Sequence, residues 1–294
     1  MEAIINKSSE AASEKSSVAK TSVAAAIFLT AFKLIVGFTT GSLGILSEAL
    51  HSGLDLVAAV ITFFAVKFAD QPADEDHNFG HGKIENYSAL IETILLFITC
   101  AWIVYEAIRR LIFHDVEIEV TYWSFIVVIT SIIIDISRSR ALYKVARKHN
   151  SQALEADALH FSTDIWSSFV VLIGLIGASF DFYYADPIAA LSVAVIVLSV
   201  SYRLGKRSFD ALIDKAPVGM SEQIKKIVES ISEVKLSHDI KVRESGPQKF
   251  VELNIHVDKN MTIEKAHEIS HKVEKEIMSR IKNIEVMVHP EPDS

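Results

Sequence analysis

Apolar residues in this chain are gathered into long runs, almost all of them before residue 207, and that clustering restricts the folds open to it. Half of the 294 residues are hydrophobic. A soluble domain approaches the same fraction, so the distribution is more informative than the total. Crossing the hydrocarbon core of a bilayer takes a helix of about 20 mostly apolar residues. Six segments approach or exceed that length: 21–39, 43–69, 87–112, 121–137, 153–178 and 187–205. Gly41, Gly44, Gly177 and Pro187 mark their ends or turns. After residue 207 the chain becomes rich in Lys, Glu and His. The expected fold is therefore an α-helical membrane protein with six transmembrane helices (21–207). A polar tail (1–20) precedes it and a small cytosolic α/β domain (208–294) follows it.

Loop charges give the direction of threading. Lys7, Lys15, Lys20, Lys83, the group Arg138, Arg140, Lys144, Arg147 and Lys148, and Lys206, Arg207 and Lys215 all fall on one side of the six spans. On the other side, the first and fifth loops hold no Lys or Arg. The third has Arg109 and Arg110 at a helix end, beside Asp115, Glu117 and Glu119. Positive residues stay inside, so both termini are expected in the cytoplasm. Residues 1–20 carry no apolar signal segment and read as a mobile tail. The formal net charge is -8, without a basic block, which argues against a nucleic-acid partner. A single cysteine, Cys100, excludes a disulfide or a thiolate cage within one chain. A metal site would have to use His, Asp and Glu.

Ionisable side chains at membrane depth cost a few kcal/mol and commonly face a cavity. The second span contains His51-x-x-x-Asp55 and the fifth His160-x-x-x-Asp164. That spacing places each pair on one helix face. Two such faces offer two imidazole nitrogens and two carboxylate oxygens, a set that zinc accepts in a tetrahedron. Two aspartates also balance a dication. Counted from the outer helix ends, Asp55 and Asp164 sit at a similar depth, about 18–20 Å. A satisfied polar pair inside each helix is the plainer alternative. Lys33 is expected either to pair with Glu48 or to snorkel to an interface, and Asp135 lies one turn from Arg138, as an interfacial ion pair would. Glu92 is a candidate for the same cavity. Asp157 is a candidate for its inner mouth, either lining a path or capping it.

A second cluster, Asp74, His77 and His81, falls in the loop before the third span. A metal site and a solvated polar loop account for it equally well. In the terminal domain, helix patterns at 221–233 and 262–281 and strand patterns at 236–244, 248–257 and 284–289 predict an α-β-β-α-β order. Glu244-Ser245-Gly246-Pro247 marks the turn between the first two strands. His238, His256, His267, His271 and His289 all lie in this domain.

Two stretches, Ser42 to Ser52 and Asn78-Phe79-Gly80-His81-Gly82-Lys83-Ile84-Glu85, resemble signatures of the cation diffusion facilitator family. The order of spans, paired motifs and terminal domain resembles it too, from about residue 18 onward. The resemblance implies a homodimer in the plasma (inner) membrane with a metallochaperone-like cytosolic domain. It implies export of a divalent transition metal, zinc foremost, in exchange for protons; cadmium, cobalt, iron and manganese remain open. It implies a transport site at His51, Asp55, His160 and Asp164 and a loop site at Asp74, His77 and His81. It further implies cytosolic ligands at His238, His267, His289 and Glu291. The family's second-strand histidine falls on Asn254 here; His256 lies on the same strand face and is the candidate substitute. Surface histidines on a polar domain are the alternative reading there.

Two other functions fit parts of the sequence. His267-Glu268-Ile269-Ser270-His271 matches the His-Glu-x-x-His pattern of zinc proteases, but it leaves the paired membrane motifs without a role. A passive metal channel would use the same ligands without coupling to protons. The expectation is a transporter working by alternating access rather than an enzyme.

Overall fold

The computed structural model describes residues 2–113, 122–178 and 185–293. Asp115, Glu117 and Glu119 of the third loop lie outside the described residues. Six long helices come first: α1 (Glu2–Thr40), α2 (Leu43–Ala69), α3 (Lys83–Phe113), α4 (Tyr122–His149), α5 (Gln152–Ala178) and α6 (Ala185–Leu212). A small domain follows: α7 (Met220–Glu229), β1 (Leu236–Ser245), β2 (Gln248–Val257), α8 (Ile263–Arg280) and β3 (Ile284–Pro292). Within the described residues, Glu10–Thr40, Glu48–Ala69 and Lys83–Arg109 are long and apolar enough to cross a membrane.

Local chemistry sets the helix junctions. Gly41 takes a positive φ of 69°, a conformation glycine adopts without steric penalty. Ser42 then caps α2 by accepting the Ile45 N–H at 3.4 Å. Asn150, at φ 53°, turns the chain between α4 and α5, and Ser151 Oγ accepts the Leu154 N–H at 3.4 Å. Tight turns make these neighbours antiparallel: α1 packs on α2 and α4 on α5, while α2 also meets α5 and α1 meets α4. α3 and α6 pair beside this group. At the end of the helices nearest the small domain, Ala19, Ala59, Ala146, Ala153 and Ala158 pack with Leu142, Leu154, Phe161 and Val66. The alanines let the backbones approach closely.

The expectation of a mobile tail at 1–20 is corrected: α1 begins at Glu2. Lys15 is buried, donating to Glu85 Oε1 at 3.0 Å and to Asp70. Glu14 receives Lys148 at 2.5 Å. The segment is rich in helix formers, and tertiary charge partners hold it. The basic group at 138–148 likewise belongs to α4 rather than to a loop.

In the small domain β1 and β2 form an antiparallel hairpin, and β3 joins β2 in parallel after the α8 crossover. Gly246 at φ 58° followed by Pro247 fits the two-residue type II′ hairpin loop. Alternation sends Val251, Leu253, Ile255 and Val257 into a core with Ile224, Val228, Val273 and Ile277. The opposite sheet face therefore carries Asn254 and His256. The hairpin tip docks against the start of α3: a Cβ at Gly82 would lie 2.2 Å from Ser245 O. The Gly246 N–H donates to Asn86 Oδ1 at 3.1 Å. Phe79 packs edge-on against Phe250, with ring centroids 5.2 Å apart, and the Arg243 guanidinium lies 3.7 Å from the Phe79 centroid.

Candidate metal centre

Glu48, His51, Ser52 and Asp55 share one stripe of α2 because they stand at positions i, i+3, i+4 and i+7. α5 presents His160 and Asp164 one turn apart. The contact between α2 and α5 brings both pairs together crosswise. His160 Nε2 and Asp55 Oδ1 are 3.0 Å apart, a hydrogen bond between helices. His51 Nε2 stands 3.7 Å from Asp164 Oδ1 and 3.9 Å from Asp55 Oδ1. His160 Nε2 is also 3.9 Å from Asp164 Oδ2. Ligand atoms of His51, Asp55 and Asp164 all lie within 4.8 Å of one another. Those three side chains form a group that can hold a metal ion, and His160 joins it through its hydrogen bond to Asp55.

The two imidazoles differ in access. His160 is buried, whereas the His51 side chain is 41% exposed. The exposure is to a cavity of about 620 Å³ whose lining includes His51, Asp55 and Asp164. On α2, α3 and α5 the lining residues run from about the middle of each helix toward the end far from the small domain. Lys33 of α1 lines the cavity too, donating to Ser52 Oγ at 2.8 Å and to Glu48 Oε2 at 3.2 Å. Asp135 pairs with Arg138 at 3.4 Å. That pair is buried in the cavity wall, with the guanidinium 3.5 Å from the Phe161 ring centroid.

Glu92 does not line this cavity. It is fully buried and accepts a hydrogen bond from Thr62. Asp157 is also fully buried, accepting from Ser22 Oγ at 3.2 Å. Neither the Ser22 contact nor the Lys15, Asp70 and Glu85 group had a signal in the sequence, because their partners lie 55 to 135 residues apart.

The loop cluster is assembled. Asp74 Oδ1 lies 3.1 Å from His77 Nδ1, and Asp74 Oδ2 lies 3.4 Å from His81 Nε2. Hydrogen bonds from the His77 backbone N–H and then its ring hold the Asp74 carboxyl below its usual pKa. In the small domain a third group forms from His238, His256 and Glu291. The two histidine Nε2 atoms are 3.1 Å apart, and Glu291 Oε2 is 3.3 Å from one and 3.4 Å from the other. His238, Asn254 and His289 stand in one cross-strand row, and Asn254 Nδ2 donates to Glu291 Oε1 at 3.0 Å. His256 thus reaches the cluster from two residues beyond Asn254. Asp293 Oδ1, 3.6 Å from His256 Nδ1, is a further carboxylate that the strand pattern did not reveal. His289 remains 4.0 Å from Glu291 and largely exposed. His267 stays apart from the group, exposed on α8 with its ring centroid 4.3 Å from that of His271.

Residues 19–213 match the profile of the cation efflux transmembrane domain, and residues 219–293 match that of the cation efflux protein cytoplasmic domain. The chain belongs to the cation diffusion facilitator family. The cation-efflux pump FieF of Salmonella choleraesuis (strain SC-B67) is 30% identical over 285 residues, covering 95% of this chain and 93% of that one. The FieF of Salmonella agona (strain SL483) is 29% identical over the same length. Among solved structures, the zinc form of the putative zinc transporter CzrB is 24% identical. It covers 26% of this chain and 89% of that one, with a TM-score of 0.25. The metal-bound C-terminal domain of the CzcD transporter from Thermotoga maritima is 34% identical, covering 26% of this chain and 88% of that one, with a TM-score of 0.25.

As a cation diffusion facilitator, the protein is a multi-pass membrane transporter for cation efflux with a cytoplasmic dimerisation domain, and not an enzyme. The His-Glu-x-x-His pattern on α8 accordingly has no proteolytic role. In the fold, His271 Nδ1 is engaged with Glu274 at 2.7 Å.

Proposed function

We propose that this protein exports a divalent transition metal, zinc foremost, in exchange for protons, and that His51, Asp55, His160 and Asp164 bind the transported ion. The observation that carries this reading is the crosswise convergence of those four side chains, three of which, His51, Asp55 and Asp164, line one cavity while His160 is buried behind them on Asp55. Two nitrogens and two oxygens suit zinc, cadmium, cobalt or iron better than manganese, which prefers more oxygen. In this reading all of α1–α6 span the membrane. Both termini and the small domain lie in the cytoplasm of a cell whose plasma (inner) membrane holds the protein, and two copies assemble as a homodimer.

The cavity then opens toward the exterior, and the alanine-rich packing around Leu142, Leu154 and Phe161 closes the cytoplasmic side. Alternating access follows if α2 and α5 rock against their neighbours so that this packing parts. Ligand protonation competes with metal at the same atoms. Each imidazole already faces a carboxylate of the other helix, the pairing that protons would occupy once the ion has left. The clusters at Asp74, His77 and His81 and at His238, His256 and Glu291 are further cytoplasmic metal positions in this proposal, with His267 and His289 as additional ligands. The test is zinc flux in proteoliposomes. Asp55→Ala and His160→Ala each abolish it if the reading holds; normal flux in either variant refutes the assignment. An imposed pH gradient drives zinc movement in the intact protein, whereas a passive channel shows no response to it.

A further inference from the structure

A fixed cation sits in the cavity where a dication is to be held. Lys33 is 5% exposed, yet it lines the cavity, at membrane depth on the reading that α1 spans the bilayer. Its two partners, Glu48 and Ser52, alternate with His51 and Asp55 along one stripe of α2. Thr30, one turn before Lys33, donates to the Ser52 carbonyl at 2.9 Å and holds α1 in register with that stripe. Asp164 and Asp135 both lie within the field of the ammonium. Burying a lysine at this depth is unfavourable unless something is gained. Glu48 alone does not account for it, because half of the Glu48 side chain remains exposed to the cavity.

We propose that Lys33 is a resident counter-cation that weakens the hold of His51, Asp55, His160 and Asp164 on the metal and so promotes its release from the open cavity. This rests on the transport-site reading above. With no metal bound, the ammonium offsets part of the negative charge of the aspartates. With metal bound, Lys33 repels it, and the tie to Glu48 and Ser52 keeps the ammonium from displacing the ion altogether. Lys33 is thus a residue that tunes affinity without touching the metal. A unit charge on the order of 10 Å from a dication changes its affinity about a hundredfold at an effective dielectric near 20, and Glu48 offsets part of this, leaving about tenfold.

The test is Zn²⁺ titration of the full-length protein in detergent, with the component lost in Asp55→Ala identifying the transport site, alongside zinc efflux kinetics in proteoliposomes. Lys33→Met is expected to tighten that component about tenfold and to lower both KM and kcat for efflux. Lys33→Arg, which keeps the charge, is expected to stay near the parent values. Glu48→Gln unmasks the ammonium and is expected to weaken binding; it decides the matter if Lys33→Met cannot be recovered folded. Unchanged or weaker zinc binding in Lys33→Met, or tighter binding in Glu48→Gln, overturns the proposal. If Asp55→Ala removes no component at all, it is the transport-site reading that fails, and this one falls with it.

Discussion

Replacing Gly82 with alanine tests whether the helical part and the small domain are docked as rigidly as their packing implies. The added Cβ would lie 2.2 Å from Ser245 O and 2.7 Å from Ser245 C, both backbone atoms of the hairpin tip. A carbon and a carbonyl oxygen approach to no less than about 3.3 Å, so the tip must retreat by about 1 Å. Overpacking of that kind costs about 1–3 kcal/mol. The retreat also breaks the 3.1 Å hydrogen bond from the Gly246 N–H to Asn86, and an orphaned buried donor adds about 1–3 kcal/mol. The docked state is therefore weakened by about 2–6 kcal/mol, and protection of the Gly246 amide against hydrogen exchange falls at least about thirtyfold. The control is Gly53→Ala, where no atom lies within 4 Å of the new Cβ; it leaves Gly246 protected. Equal protection of Gly246 in Gly82→Ala and the parent protein would refute the docking argument.

Other consequences follow from the same structure. Lys15→Met strips the cation from Asp70 and the fully buried Glu85. Thermal unfolding in detergent should register a loss of about 3–5 kcal/mol, as expected for a broken buried pair. Ile277→Ala, in the core of the small domain, should cost about 2–5 kcal/mol by denaturant unfolding, whereas Ile263→Ala, at an exposed site, should stay within about 0.5 kcal/mol. The Lys272 ammonium holds the Glu233 carboxyl at about 2. Its folded pKa is depressed, so its contribution is present above the ordinary carboxylate value of about 4.3 and disappears as pH falls from there through that lower value. Titration of Glu233 by NMR checks this, and a normal pKa in the folded protein would show that the pair does not persist in solution.

The sequence carried the chemistry of the central site because helical periodicity is local. His51 with Asp55 and His160 with Asp164 needed only the i, i+4 rule to share faces. The hairpin was legible for a similar reason: alternating residues flank Gly246-Pro247, and β2 runs from Gln248 to Val257 as its pattern implied. What stayed hidden depended on distant partners. Residues 1–20 have no apolar stripe, and their helix is held by Asp70, Glu85 and Lys148. β3 continues through Pro290 to Pro292. Proline is a poor strand signal, but at the sheet edge its missing N–H costs no ladder bond. That extension is what carries Glu291 to His238 and His256. The cavity, and Lys33 within it, required the packing of α1 on α2, which no local pattern specifies.

Anomalous scattering from crystals of the zinc-loaded protein tests the central claim most directly. One zinc ion should appear between α2 and α5, with His51, Asp55, His160 and Asp164 as its four ligands at about 2.0–2.2 Å. Zinc at the loop and in the small domain, with none between those helices in a preparation that still transports the ion, would contradict it.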